Sequence, residues 1–265
     1  MKNIFWALMI SFIIYSPVKG ELSKELSGLQ IVEKQKKIHM PNDYMEKIDL
    51  QMINKKDQII NRKITIHGRK NEQGLSKRLV KFNSPADIRD VGLLTLENSE
   101  KADRQWIYTP ANKKIKRISS GGKKSRFMGT DFSYEDLQPE KISAHEYKLL
   151  RIEELNNKPT YVIESTPNNA RERKNSGYSK RIFWINKKIF FTVKTEFYGR
   201  RDRLIKIANY SELQNIKDNM WRTNKIVMQD LKRKHKSIMT VTKRSIDQGL
   251  KESLFTREKL KMRSK

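Results

Sequence analysis

From Tyr44 onward the apolar residues recur at every second position, and this period of two constrains the fold more than any other feature of the chain. Ile48, Leu50 and Met52 share one face, Asn54-Lys55-Lys56-Asp57 makes a turn, and Ile60, Ile64 and Ile66 return on the next segment. Only an extended strand sends alternate side chains to one side, so the pattern predicts a β-hairpin. Further short runs at 77–82, 92–96, 105–109 and 114–118, separated by turn residues, extend it into a meander. The second half repeats the theme with 146–154, the turn Asn156-Asn157-Lys158-Pro159, and 160–166. Residues 181–185 and 189–196 flank Asn186-Lys187-Lys188, and 203–210, 221–229 and 236–242 follow, all rich in β-branched or aromatic residues. The connections have the length that hairpins use.

Ahead of the strands, Leu22, Leu26, Leu29 and Val32 stand four, three and three residues apart, which predicts an amphipathic helix over 21–40 ending before Pro41. The expected fold class is therefore α+β: a strongly curved antiparallel sheet of roughly ten strands, a half-open, unclosed β-barrel, with helices covering or plugging its concave face. A curved sheet must bury the side chains of its inner face. Where helices fill that face only in part, an oily cavity remains.

The first residues set the expected compartment. Lys2 precedes an apolar run from Ile4 to Tyr15, and Ser16-Pro17-Val18-Lys19-Gly20 follows, the layout of a secretory signal peptide. A run of this length falls short of the roughly 20 residues a spanning helix needs, which disfavours the alternative of an uncleaved anchor. Cleavage is expected after Gly20, leaving 21–265 as one domain in the periplasm. The chain has no cysteine, so it has no disulfide, no thiolate metal site and no residue on which a lipoprotein anchor is built. Its formal net charge is +27, with 57 Lys and Arg against 30 Asp and Glu. In the cytosol such a charge points to nucleic acid. An exported protein meets anionic headgroups first, so peripheral contact with an anionic membrane surface is expected and nucleic acid is not.

Chemistry on a substrate finds little support. The four histidines, His39, His67, His145 and His235, are scattered, with no second ligand at i+3 or i+4, so neither a metal nor any other cofactor is expected. Ser120-Gly121-Gly122-Lys123-Lys124-Ser125 resembles a phosphate loop only faintly, since Arg117 stands where that motif needs its first glycine. No nucleophile elbow is present, and no catalytic residue is assigned. Basic clusters at 113–117, 123–126, 171–174, 200–203 and 232–236 fall mostly at turns, where they discourage edge-to-edge pairing and attract anionic headgroups.

The most specific segment runs from Gln105 to Leu137. It holds Trp106-Ile107-Tyr108-Thr109-Pro110, then Lys116-Arg117-Ile118-Ser119, then Phe127-Met128-Gly129-Thr130-Asp131-Phe132-Ser133-Tyr134-Glu135-Asp136-Leu137. The spacing of Ser133 and Asp136 suits a capping box, with Asp131 or Ser133 capping a short helix. The segment is too short to bury its own apolar side chains and must pack on the sheet. With Phe82-Asn83-Ser84-Pro85 before it and Phe255-Thr256-Arg257-Glu258-Lys259-Leu260 after it, it closely resembles the outer-membrane lipoprotein-sorting, LolA-like family over residues 40–261.

The resemblance implies a periplasmic carrier that binds a lipid or lipid-anchored cargo in a hydrophobic cavity. It further implies transfer between the inner membrane, with an RND-type exporter as partner, and the outer envelope. A sensor or adaptor module gripping another envelope protein is the alternative. The strong basic charge favours a lipid or other apolar ligand over lipoprotein cargo. Candidate cavity residues are Ile48, Leu50, Met52, Ile64, Ile66, Trp106, Tyr108, Phe127, Met128, Phe132 and Tyr134. In the expected lid, Gly129 is the hinge, and Arg117 paired with Asp131 or Asp136 is the latch.

Overall fold

A computed structural model describes residues 25–263; the expected signal peptide and Leu22 lie outside the described residues. The alternation read in the sequence becomes one antiparallel ladder after another. Strands β1 (Asp43–Ile53) and β2 (Ile59–Lys70) pair so that Ile48 faces Ile64 and Met52 faces Ile60. β3 (Ser76–Ser84), β4 (Gly92–Leu96), β5 (Arg104–Thr109) and β6 (Lys114–Ile118) follow as a meander. The second half contributes β7 (His145–Leu155), β8 (Lys158–Pro167), β9 (Lys180–Asn186), β10 (Phe191–Tyr198), β11 (Leu204–Lys217), β12 (Met220–Asp230) and β13 (His235–Ile246).

All thirteen strands form one curved, unclosed sheet in the order β6-β5-β4-β3-β2-β1-β13-β12-β11-β10-β9-β8-β7. The expected fold class holds, and the strand count rises from about ten to thirteen. Even the short strands β4, β5 and β6, of five or six residues each, fall on the runs read at 92–96, 105–109 and 114–118. Register shifts occur in six of the ladders, among them at Lys47/Ile48, Lys63/Ile64 and Leu149/Arg151. Such bulges bend a strand and increase its twist, which curls the sheet.

The strand order has one large consequence. β6 and β7 are consecutive in the chain yet occupy opposite edges of the sheet. The connection between them, residues 119–144, must therefore cross one face, called here the inner face. That connection carries the signature segment.

Helix α1 (Gly28–His39) covers another part of the inner face. It begins later than the periodicity suggested, because Ser27 caps it in a reciprocal box with Gln30: the Gln30 amide donates to Ser27 Oγ at 3.3 Å and the Ser27 amide to Gln30 Oε1 at 2.8 Å. Leu26 thus precedes the helix and packs beside Ile31 and Val32 on Tyr161, Ile163 and Ile185. A second cluster joins β1–β5 and residues of β10–β13 with the 119–144 connection, and a third lies on the outer face, where Leu79 and Leu94 meet Phe255 and Leu260 at the short C-terminal helix α2 (Arg257–Lys261). No described helix is long and apolar enough to cross a membrane.

Candidate functional site

The signature segment forms a plug built of turns, without the short helix expected at 133–136. Its capping box is nonetheless made: the Ser133 amide donates to Asp136 Oδ2 at 2.7 Å, and the Asp136 amide to Ser133 Oγ at 3.2 Å. The segment folds back on itself through a bridge between Arg126 and Ser133 and a bond from the Phe127 amide to the Phe132 carbonyl at 2.8 Å. Met128 and Gly129 take left-handed conformations at φ 48° and 83°, reversing the chain there. Phe127, Phe132 and Leu137 are thereby buried in the cluster drawn from β1–β5 and β10–β13.

Polar side chains from six strands pin the plug in place. Arg62 of β2 donates to the Met128 carbonyl at 2.6 Å, Arg78 of β3 to that of Leu137 at 2.8 Å, and Gln105 of β5 to that of Tyr134 at 2.9 Å. Asp131 is fully buried and accepts from Ser237 Oγ at 2.7 Å, with His235 Nδ1 at 2.6 Å and Arg233 at 3.3 Å. Asp136 accepts from Tyr178 Oη at 2.8 Å and pairs with Lys206 of β11 at 3.2 Å. Glu135 pairs with Arg181 of β9 at 2.5 Å.

These partners replace the expected latch. Arg117 is exposed on the edge strand β6, opposite Trp106, while β13 and β11 supply the partners of Asp131 and Asp136. A charge count along the chain could not foresee which distant strands pass beneath the plug.

Beside the plug lies a cavity of about 480 Å³, bounded by α1, by residues 132–145 and by the inner face of β9–β12. Its lining mixes apolar side chains, Val32, Phe183, Phe197, Ile226 and Met228, with charged ones, Arg78, Asp103, Glu140, Arg181 and Arg222.

Of the residues expected to line a cavity, Phe132 does so; Asp136, expected in the latch, lines it as well. Ile48, Leu50, Met52, Ile64, Ile66 and Phe127 lie instead in the filled part, where the plug covers them, and Met128 and Tyr134 pack partly buried against them. Trp106 and Tyr108 are on the outer face beside Leu260, because the pleat turns Gln105 and Ile107 inward. The apolar residues that do line the cavity, Phe183, Phe197, Ile226 and Met228, stand in runs whose strand character was plain. Nothing local shows which stretch of a curved sheet its plug leaves uncovered.

A buried polar network joins some of the charged side chains. Burial opposes ionisation of Glu140, yet Arg181, His145 and hydrogen bonds from Tyr147 and Ser165 outweigh it and hold the carboxyl below its ordinary value. Burial, reinforced by the Glu140 charge, pushes the Tyr147 hydroxyl up, so it stays protonated and donates to Glu140 at 2.6 Å. Arg181 is raised above its already high value, because Glu135 and Glu140 outweigh its desolvation. Such a network rigidifies the lining. Among the described residues, no group of three or more His, Asp or Glu side chains is placed to hold a metal ion.

A protein-family model described as an uncharacterized protein matches residues 74–262. No curated protein matches the chain. Among solved structures, a putative outer membrane lipoprotein-sorting protein domain from Vibrio parahaemolyticus is 29% identical, with a TM-score of 0.84 over 89% of this chain and 98% of its own. A DUF1329 family protein from Desulfovibrio piger is 22% identical, with a TM-score of 0.82 over 88% and 97%. A LolA superfamily protein from Nitrosomonas europaea is also 22% identical, with a TM-score of 0.69 over 89% of this chain and all of its own. The last two share the fold and the first shares sequence as well: the chain belongs to the family whose model matches residues 74–262, and its fold is that of the outer membrane lipoprotein-sorting and LolA superfamily structures it is similar to.

Proposed function

We propose that the protein is an exported, periplasmic carrier that shelters the apolar part of a lipid or lipid-anchored cargo in the cavity beside the plug and performs no reaction on it. In this reading cargo moves between the inner membrane, where an RND-type exporter is the partner, and the outer envelope. The observation that carries it is the partly filled inner face: the plug packs into a core drawn from β1–β5 and β10–β13, and a cavity of about 480 Å³ remains beside it, next to α1 and β9–β12. That volume lies within the roughly 300–1,000 Å³ typical of ligand pockets. Each buried methylene contributes about 0.8 kcal/mol, so part of one acyl chain suffices for retention. The lipoprotein-sorting name of the Vibrio parahaemolyticus relative supports the same class of cargo.

The moving part in this reading is α1 and not the plug. Lifting the plug would strand Asp131 and Asp136 away from their buried partners, and breaking such a pair costs about 3–5 kcal/mol. α1 is held mainly by apolar packing of Leu26, Ile31 and Val32, with side-chain bonds from its C-terminal half such as Thr192 Oγ1 to Gln35 Oε1 at 2.8 Å. Ligand is therefore expected to slow hydrogen exchange in 28–39 more than in 126–137.

The direct test is mass spectrometry of an organic extract of the purified protein, together with uptake of a fluorescent fatty acid. A co-purifying lipid and saturable uptake are expected, and Val32→Trp, which fills the cavity from α1, is expected to abolish uptake. Protein that is repeatedly lipid-free and takes up no fatty acid ends the reading.

A further inference from the structure

Seven buried side-chain polar atoms have no hydrogen-bond partner among the described residues, and five of them belong to residues lining the cavity beside the plug: Nε of Arg69, Arg78 and Arg222, Oε1 of Gln138 and Nε2 of His145. Unsatisfied buried donors are rare because each forfeits its hydration, so their concentration here marks where a partner belongs. Three of the five are guanidinium donors, which call for an acceptor.

One of those arginines, Arg78, shares a row across the sheet with Tyr44, and a second, Arg222, stacks on that tyrosine's ring. Tyr44 of β1 faces Gly68 of β2, and Gly68 faces Arg78 of β3. A Cβ on Gly68 would stand 2.1 Å from the Tyr44 ring, so the glycine is what lets the ring lie across β2. The Arg222 guanidinium sits 4.9 Å from that ring's centroid. Arg78 spends one terminal nitrogen on the Leu137 carbonyl, and neither Arg78 nor Arg222 is ion-paired among the described residues. Glu46 is engaged by Arg244, whose Nε donates to it at 2.7 Å, and the other Arg244 nitrogens go to Asn224 and the Thr223 carbonyl. His39, also near Arg222, accepts the Trp221 amide proton through Nδ1 at 3.1 Å and so is neutral there. Burial, with the like charges of Arg244 and Arg78, lowers the Arg222 guanidinium from its ordinary value against the pull of Tyr44 and Glu46.

We propose that Arg78 and Arg222 bind the anionic head, a carboxylate or phosphate, of a single-chain amphiphile whose tail lies against Phe183, Phe197 and Met228. The proposal rests on the carrier reading and names its ligand class. A guanidinium fork matches a carboxylate or phosphate in two-pronged fashion. The apolar side chains that line the same cavity favour an amphiphile over a free anion.

Displacement of a bound fluorescent fatty acid by palmitate, by hexadecanol and by inorganic phosphate tests it. Palmitate is expected to bind about ten-fold more tightly than hexadecanol, the worth of one charged hydrogen-bond set. The double variant Arg78→Gln, Arg222→Gln is expected to lose that advantage, its palmitate to hexadecanol ratio falling to within about two-fold of one. Equal binding of palmitate and hexadecanol to the unaltered protein overturns the head site and leaves the carrier reading standing. Binding of neither overturns both. Displacement by phosphate alone as strongly as by palmitate overturns the amphiphile in favour of a free anion. Should the double variant not fold, the palmitate to hexadecanol ratio of the unaltered protein decides.

Discussion

Asp131 is one of the plug's principal attachments: its carboxylate is fully buried between His235, Ser237 and Arg233, and its amide donates to Ser237 Oγ at 3.0 Å. Asp131→Asn removes the charge that Arg233, His235 and Ser237 engage and is expected to destabilise the fold by about 3 kcal/mol, read as a lower urea midpoint. His39 gives a pH dependence with a definite sign. Its Nε2 lies 3.0 Å from the Ile189 carbonyl and 3.1 Å from that of Phe190, while Nδ1 accepts from Trp221, an arrangement only the neutral ring can make. Burial foremost lowers its proton affinity below the ordinary 6.5, and burial does the same at His67. The unfolded chain therefore binds more protons in this range. The stability from these neutral rings is full above about pH 6.5 and is lost as the pH falls toward their depressed native values. Urea midpoints are expected to fall between about pH 7.5 and about pH 5.5, and less so in His39→Asn. The histidines read as lacking a metal pattern; that one of them docks a helix was invisible, since its partners lie 150 or more residues away in the chain.

At the scale of elements, α1 is the part whose local signals and tertiary fit both matter. Its start was written in the sequence as Ser27 and Gln30, although the apolar spacing of Leu22 and Leu26 pointed further back. Ser27→Ala is expected to cost about 1 kcal/mol by removing the cap. Gly28 is required for a different reason: a Cβ there would stand 2.8 Å from the Tyr147 carbonyl oxygen and 2.9 Å from the Leu149 amide nitrogen, both backbone atoms of the edge strand β7. Gly28→Ala is expected to push α1 off β7 at a cost of about 1–3 kcal/mol, seen as faster proteolysis within 28–39. The plug teaches the complementary lesson. The capping bonds of Ser133 and Asp136 were legible and form, yet no helix follows, because the next residues are drawn to Arg181, Lys206 and Tyr178.

For the whole molecule the basic surface dominates. A net charge of +27 is spread over strand ends and turns, and Arg117 and its neighbours on β6 lie at a free sheet edge, where charge blunts pairing with other chains. The protein is expected to adhere to vesicles containing phosphatidylserine, and not to purely zwitterionic ones, at low ionic strength. Adhesion is expected to be lost near 1 M salt, where the screening length drops to about 3 Å.

The strands, their antiparallel sense, the curl of the sheet and the family signature were all determined by the sequence alone, because period, turn chemistry and motif act over neighbouring residues. Only the tertiary structure decided where the cavity lies, which arginines face it and what holds the plug. Those depend on residues 119–144 crossing between opposite sheet edges, and a crossing brings together side chains that no local pattern relates. Burial then selects the partners: a carboxylate such as Asp131 takes whichever cation the far strands carry beneath it, since leaving it unpaired in the interior costs more than any local preference is worth.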